Sequence, residues 1–262
     1  MNTVKKGSRG DDVKLLQRLL NVKDDGIFGS QTEALVKSWQ KDNGLVPDGV
    51  VGPRSWQRLI DIYAVSPLVV YNPLVVHISQ LRGRQIKYIV LHYTAGSKSS
   101  PGCANAVRSV FVGRNVSADF AVDDRDIVQF NPDIRNNYTW AVGDPLNRAS
   151  GGGSYNGICT NRNSISIEMC STLFSGWSAR YANHEGWCLT ERTIKNAQVL
   201  VKVLMQLYGI TASHVIRHYD VTGKLCPGVV GWNRAMIYDN LGKPTSRHNS
   251  ETEWLNFKKP LT

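Results

Sequence analysis

Two imidazoles and a thiol carry the first chemical signal in this 262-residue chain. His92 lies in the apolar run Tyr88-Ile-Val-Leu-His-Tyr93, and His218 and Cys226 share the segment His218-Tyr-Asp-Val-Thr-Gly-Lys-Leu-Cys-Pro-Gly228. Neutral imidazole nitrogen and thiolate sulfur are donors that zinc prefers, and a catalytic zinc keeps three protein ligands plus a position for water. A glycine between His218 and Cys226 lets one loop fold both onto a single ion. His92, ending a buried strand beside a Gly-containing loop, would supply a donor from a rigid element. His214 competes, because histidines four apart are a metal spacing on a helix. Val215 and Ile216 favour a strand instead, which would set His214 and His218 about 13 Å apart. His184 reads as a loop residue, and His77 and His248 as incidental.

The elements that must position these side chains follow an α/β pattern from Lys87 onward. Tyr88–Tyr93 reads as a buried strand. A helix is expected from Ala104 to Val112, and a hairpin from Ala118–Val122 and Ile127–Phe130 around the turn Asp123–Asp126. Ser164-Ile-Ser-Ile-Glu-Met169 alternates as a half-buried strand does. The clearest helix runs from a Thr190 cap to Gly209, with Ile194, Ala197, Val201, Leu204 and Tyr208 on its inner stripe. His214 to Arg217 reads as a last short strand. Ser150-Gly-Gly-Gly-Ser154 is expected to be a flexible loop.

The first sixty residues repeat with an offset of 23. Val13-Lys-Leu-Leu-Gln17 returns as Val36-Lys-Ser-Trp-Gln40, and Asp25-Gly-Ile-Phe-Gly29 returns as Asp48-Gly-Val-Val-Gly52. Helical spacing of apolar residues, an Asp-Gly turn, and Ser30 or Ser55 to start the next helix predict a module of three short helices. Domain boundaries are expected at 1–66 for this module, 67–83 for a linker broken by Pro67 and Pro73, 84–241 for the α/β domain, and 242–262 for a polar, loosely packed tail.

Composition bounds the partners. The chain is 42% apolar and 20% charged, enough for a full-sized core plus a small module. Its net charge is +10, of which residues 1–66 hold +2 (ten Lys/Arg against eight Asp/Glu) and the remainder +8. That favours anionic partners without choosing among them. A nucleic-acid role lacks any interleaved basic and aromatic patch. No apolar run reaches membrane-spanning length, and the N-terminus shows no signal-peptide h-region, so synthesis in a cytoplasm is expected. Five cysteines, an odd number without repeating spacing, argue against a disulfide framework, although one pair could close in an oxidising space.

Residues 4–63 resemble the peptidoglycan-binding domains found at the ends of wall hydrolases. Residues 84–232 resemble the zinc amidase family that includes bacteriophage amidase lysozymes and peptidoglycan recognition proteins. The matching pieces are Ile89-Val-Leu-His-Tyr-Thr-Ala-Gly96, Val116-Ser-Ala-Asp-Phe-Ala-Val122, Trp140-Ala-Val-Gly143, Asn163-Ser-Ile-Ser-Ile-Glu168 and the 218–228 run. The resemblance implies a mixed central sheet flanked by helices, a Zn2+ held by His92, His218 and Cys226, and hydrolysis of the bond between N-acetylmuramic acid and L-alanine. It also implies that Glu168 serves the zinc-bound water and that Lys224 faces the substrate carbonyl. Bacterial peptidoglycan is then the partner, and a monomeric endolysin acting on the wall the expected setting. The chain departs from one phage branch in having Ala118 where a catalytic tyrosine stands, and from many members at Asp119 and at Trp140–Gly143. A non-catalytic wall receptor and a stem-peptide zinc peptidase are the alternatives; the first lacks the thiol, and the second uses histidine patterns not found here.

Overall fold

A computed structural model describes residues 2–20, 22–23, 25–63, 68–95, 103–143, 153–248 and 250–262. The chain divides into two compact units, residues 1–66 and 67–262. Among the described residues no helix is long and apolar enough to cross a membrane.

The first unit holds the expected three helices, α1 (Asp11–Leu19), α2 (Ser30–Asp42) and α3 (Pro53–Tyr63). Val13, Leu16, Phe28, Val36, Trp56 and Leu59 form its core. The repeat has a polar basis as well as an apolar one. Gln17 Nε2 donates to Asp25 Oδ1 (2.8 Å) and to the Ile27 carbonyl (3.1 Å), and Gln17 Oε1 accepts from Gly26 N–H (2.9 Å). Gln40 does the same 23 residues on, donating to Asp48 Oδ1 and the Val50 carbonyl (both 3.0 Å) and accepting from Gly49 N–H (2.9 Å). Each buried amide thus closes one Asp-Gly turn, satisfying backbone groups that would otherwise be costly to bury. Ser30 starts α2 as expected, without a side-chain cap bond, whereas α3 starts at Pro53 and Ser55 lies inside it. Gly29 is the cap residue of α2, and Ser55 Oγ accepts from Gln40 Nε2 (3.1 Å), in the place Thr32 takes in the first repeat.

In the second unit the strands are, in chain order, β1 (Leu68–Tyr71), β2 (Ile78–Gln80), β3 (Tyr88–Tyr93), β4 (Phe120–Val122), β5 (Asp126–Gln129), β6 (Asn137–Thr139), β7 (Ser164–Met169), β8 (Thr172–Leu173), β9 (Trp187–Cys188), β10 (Val215–Arg217), β11 (Met236–Tyr238) and β12 (Pro244–His248). The helices are α4 (Cys103–Val112), α5 (Glu191–Tyr208), α6 (His218–Thr222) and α7 (Thr252–Lys258). Six strands form a mixed sheet in the order β1-β5-β4-β7-β3-β10, parallel throughout except for the β4–β5 hairpin. Helix α5 covers one face, with Ile89, Leu91, Ile165, Ile167, Leu200 and Leu204 in that layer. Helix α4 covers part of the other through Val107 and Phe111. Both ends of α5 are set by its sequence: Thr193 N–H donates to Thr190 Oγ1 (3.1 Å), and Gly209 takes the left-handed conformation (φ 66°).

Two stretches depart from expectation. Residues 67–83, read as linker, supply edge strand β1 and strand β2, which pairs with β6. Prolines beside short strands are compatible with a sheet edge. The tail 242–262, read as loose, contributes β12 and α7. Trp254 and Phe257 of α7 are buried against Trp232, with ring centroids 5.2–5.7 Å apart. Of the Ser150–Ser154 loop, residues 150–152 lie outside the described residues.

Candidate metal and acid–base site

The site lies at the carboxyl ends of parallel strands β7, β3 and β10, where α/β sheets commonly bind ligands. Strand register dictates its first feature. His92 on β3 stands directly opposite Glu168 on β7, so both side chains leave the same face of the sheet. Strand β10 pairs Arg217 with Leu91 and then passes straight into α6, whose first residue is His218. Helix α6 ends at Gly223 (φ 75°). The chain then returns so that Tyr219 N–H donates to the Cys226 carbonyl (2.8 Å). That backbone bond brings the two ends of the eight-residue interval together.

The three sequence-derived donors converge. The potential ligand atoms of His92, His218 and Cys226 all lie within 4.8 Å of one another, and all three residues are buried. Cys226 Sγ is 3.8 Å from His92 Nδ1, and the two imidazoles are 4.7 Å apart at their centroids. Tetrahedral bonds of about 2.0–2.3 Å would suit such spacing after a small contraction. The chemistry of the donors also fits a cation. Burial, with the charges of His218 and Lys224, holds His92 well below the ordinary histidine range, and burial and Lys224 bring His218 down to about 3. Both rings are therefore neutral and able to donate a lone pair. Burial and nearby Glu168 push the Cys226 thiol up to about 12, so a thiolate here requires a cation beside it. His218 Nδ1 is buried with no hydrogen-bond partner.

Glu168 is half-buried, and its Oε2 is fully enclosed and unpartnered. Burial raises it to about 8, against an opposing pull from Lys224. Lys224 itself is exposed, yet its charge acts on His92, His218, Glu168 and Cys226 alike. The competing His214 does not join the group. It lies before β10, at the far end of that strand from His218, and its ring meets Tyr88 edge-on at 5.0 Å. His184 lies in the turn segment before β9, as expected of a loop residue, and is completely buried there, with Nδ1 accepting from Gly186 N–H (2.8 Å).

Three further parts were not read from the sequence. Ser166 Oγ lies 3.3 Å from His92 Nε2. It therefore holds the ring nitrogen opposite the one facing Cys226, as supporting partners of metal-binding histidines do. Behind Ser166 sits a buried network. Asp119 Oδ2 accepts from Ser166 N–H (2.8 Å) and Thr139 Oγ1 (2.9 Å), Oδ1 accepts from Asn131 Nδ2 (2.6 Å), and Arg84 stands 3.8 Å away. Tyr93 is the third: its hydroxyl is buried without a partner, and burial, Cys226 and Glu168 push it upward from the ordinary tyrosine range. Period-2 alternation in β7 could have placed Ser166 on the Glu168 face, but only the register brings it to His92.

Residues 82–229 match the family model described as N-acetylmuramoyl-L-alanine amidase, and residues 9–59 match that of a peptidoglycan binding domain. The N-acetylmuramoyl-L-alanine amidase CwlL of Bacillus licheniformis is 33% identical over 151 residues, covering 54% of this chain and 36% of that protein. The amidase CwlA of Bacillus subtilis is 31% identical over 141 residues, covering 54% of this chain and 43% of that one. The chain thus spans less than half the length of these curated relatives. Among solved structures, a mutant endolysin from Bacillus subtilis superposes with a TM-score of 0.47 at 23% identity, covering 75% of this chain and 100% of that one.

Proposed function

Because the chain belongs to the N-acetylmuramoyl-L-alanine amidase family, we propose that it hydrolyses the amide between N-acetylmuramic acid and L-alanine in bacterial peptidoglycan. The observation that carries this reading is the convergence of His92, His218 and Cys226 beside Glu168 at one sheet end. In this reading His92, His218 and Cys226 hold Zn2+. When bound, the metal makes a water nucleophilic near neutral pH, lowering its pKa from about 15.7 to about 7, and polarises the scissile carbonyl.

The chain's own residues do the rest. Glu168, raised to about 8, is a carboxylate that binds a proton readily near neutrality. Its enclosed Oε2 takes a proton from the attacking water and returns it to the departing nitrogen. Lys224 brings a positive charge to the oxygen of the reacting carbonyl; losing one such donor costs about 100- to 1000-fold in rate. Ser166 keeps His92 Nδ1 turned toward Cys226. The matched N-terminal module binds the wall polymer and keeps the enzyme at its substrate. An endolysin-type role at the bacterial cell wall follows from the two activities together.

Digestion of purified peptidoglycan by the zinc-supplemented protein tests the reading. Stem peptides with a free L-alanine amino group should be released, as identified by mass spectrometry. Intact muropeptides, or cuts inside the stem, would refute it.

A further inference from the structure

None of the five cysteines is in a disulfide, and they are not spread evenly through the core. Cys226 belongs to the ligand group, and Cys159 lies with Val90 and Ile216 in a separate cluster. Cys103 and Cys170 share one buried cluster with Val107, Phe111 and Phe130. One backbone bond and one backbone-to-carboxylate bond hold both at the end of β4. Cys170 N–H donates to the Val122 carbonyl (2.8 Å), and Ala104 N–H, next to Cys103, donates to Asp123 Oδ2 (2.8 Å). Consecutive residues, Val122 and Asp123, therefore grip the two cysteine-bearing segments. The two thiols are in hydrogen-bond contact, and each residue is 5% exposed.

We propose that Cys103 and Cys170 are a thiol modification site that closes into a reversible disulfide on exposure to small-molecule disulfides. The step balances as an exchange. One protein sulfur, its proton lost to solvent, displaces a thiolate from the small disulfide and forms a mixed disulfide. The second sulfur then displaces the other thiolate. Two protein thiols are oxidised, one small disulfide is reduced to two thiols, and the two protons end on those thiols. The bond would tie the first residue of α4 to the segment following β7, two residues beyond Glu168. It leaves His92, His218 and Cys226 untouched. Reducing interiors keep such a pair open and oxidising exteriors close it. The hydrogen bond with Cys103 and burial both push the Cys170 thiol upward, so closure is slow in the folded protein and faster while the chain folds.

The test refolds the full chain in zinc-containing buffer with reduced and oxidised glutathione, then alkylates free thiols and maps peptides. The expected product is a single linked pair joining Cys103 to Cys170, with the other three cysteines alkylated. Its thermal midpoint should exceed that of the reduced sample by about 5 °C, reversibly with dithiothreitol. Cys159→Ser should retain the link, and Cys103→Ser or Cys170→Ala should lose it while keeping a folded circular-dichroism spectrum. Five alkylated cysteines, stable glutathione adducts on both positions, or a link to any other cysteine would overturn the proposal.

Discussion

Ser166 shows how much of the site depends on a residue with no reactive chemistry of its own. Its hydroxyl is the partner of His92 Nε2, and its N–H is tied to buried Asp119. Ser166→Ala should weaken zinc binding by about 10- to 100-fold in a chelator competition, with little change in the midpoint of the metal-free protein. Unaltered affinity would remove Ser166 from the site. Two site residues also set opposite pH responses in the metal-free protein. His218 protonates at about 3 in the fold against 6.5 ordinarily, so its contribution is present above 6.5 and lost as pH falls toward 3. Glu168 protonates at about 8 against 4.5, so its contribution is present below 4.5 and lost as pH rises through 8. Glu168→Gln should therefore flatten the decline between pH 6.5 and 8 in thermal melts of chelated protein, leaving the acid limb intact. The same variant should retain zinc and lose turnover. The meeting of His92, His218 and Cys226, with Glu168 opposite His92, was legible from residue types and a family-like order. Ser166, Asp119 and Arg84 were not, because their roles arise from contacts across strands up to 80 positions apart.

At the scale of elements, the C-terminal helix braces the segment that carries His218. Arg217, directly before that histidine, donates to Asp220 Oδ1 (2.6 Å) and to Glu251 Oε1 (3.2 Å), and its guanidinium lies 5.3 Å from the Trp254 ring centroid. Trp254→Ala should cost about 3–5 kcal/mol in urea denaturation, the usual penalty for emptying a buried aromatic site. Glu251→Gln removes one charge from Arg217 but leaves the aromatic packing. It should weaken zinc binding more than it lowers the urea midpoint, and equal small effects on both would show that the brace serves stability alone. Strand β7 and helix α5 were readable because alternation, a Thr190 cap and Gly209 mark their limits. Helix α7 is only seven residues long and flanked by charge, so its apolar Trp254, Phe257 and Leu261 spacing was outweighed by a polar tail composition. Edge strand β1 was hidden by its flanking prolines, although the edge of a sheet tolerates them.

For the whole molecule, each unit has its own apolar core. Removing residues 1–66 should leave turnover of soluble muropeptides close to that of the full chain. On intact walls the shortened chain should lose at least about tenfold under the proposed reading, in which the module raises the local concentration of substrate. Comparison of the two substrates separates loss of wall binding from loss of chemistry. The net charge of +8 on the remainder predicts that salt weakens whatever wall attachment persists, through screening of charges at the surface.

The paired glutamines of the N-terminal unit have a practical consequence. Gln17 and Gln40 occupy matching places in one small body, so each half carries the other's internal control. A methionine exchanged into one half alone would loosen that half's turn, while the untouched turn reports in the same tube on solvent, temperature and handling. Amide proton exchange at Gly26 against Gly49 then measures the difference within a single molecule, without reference to a second sample.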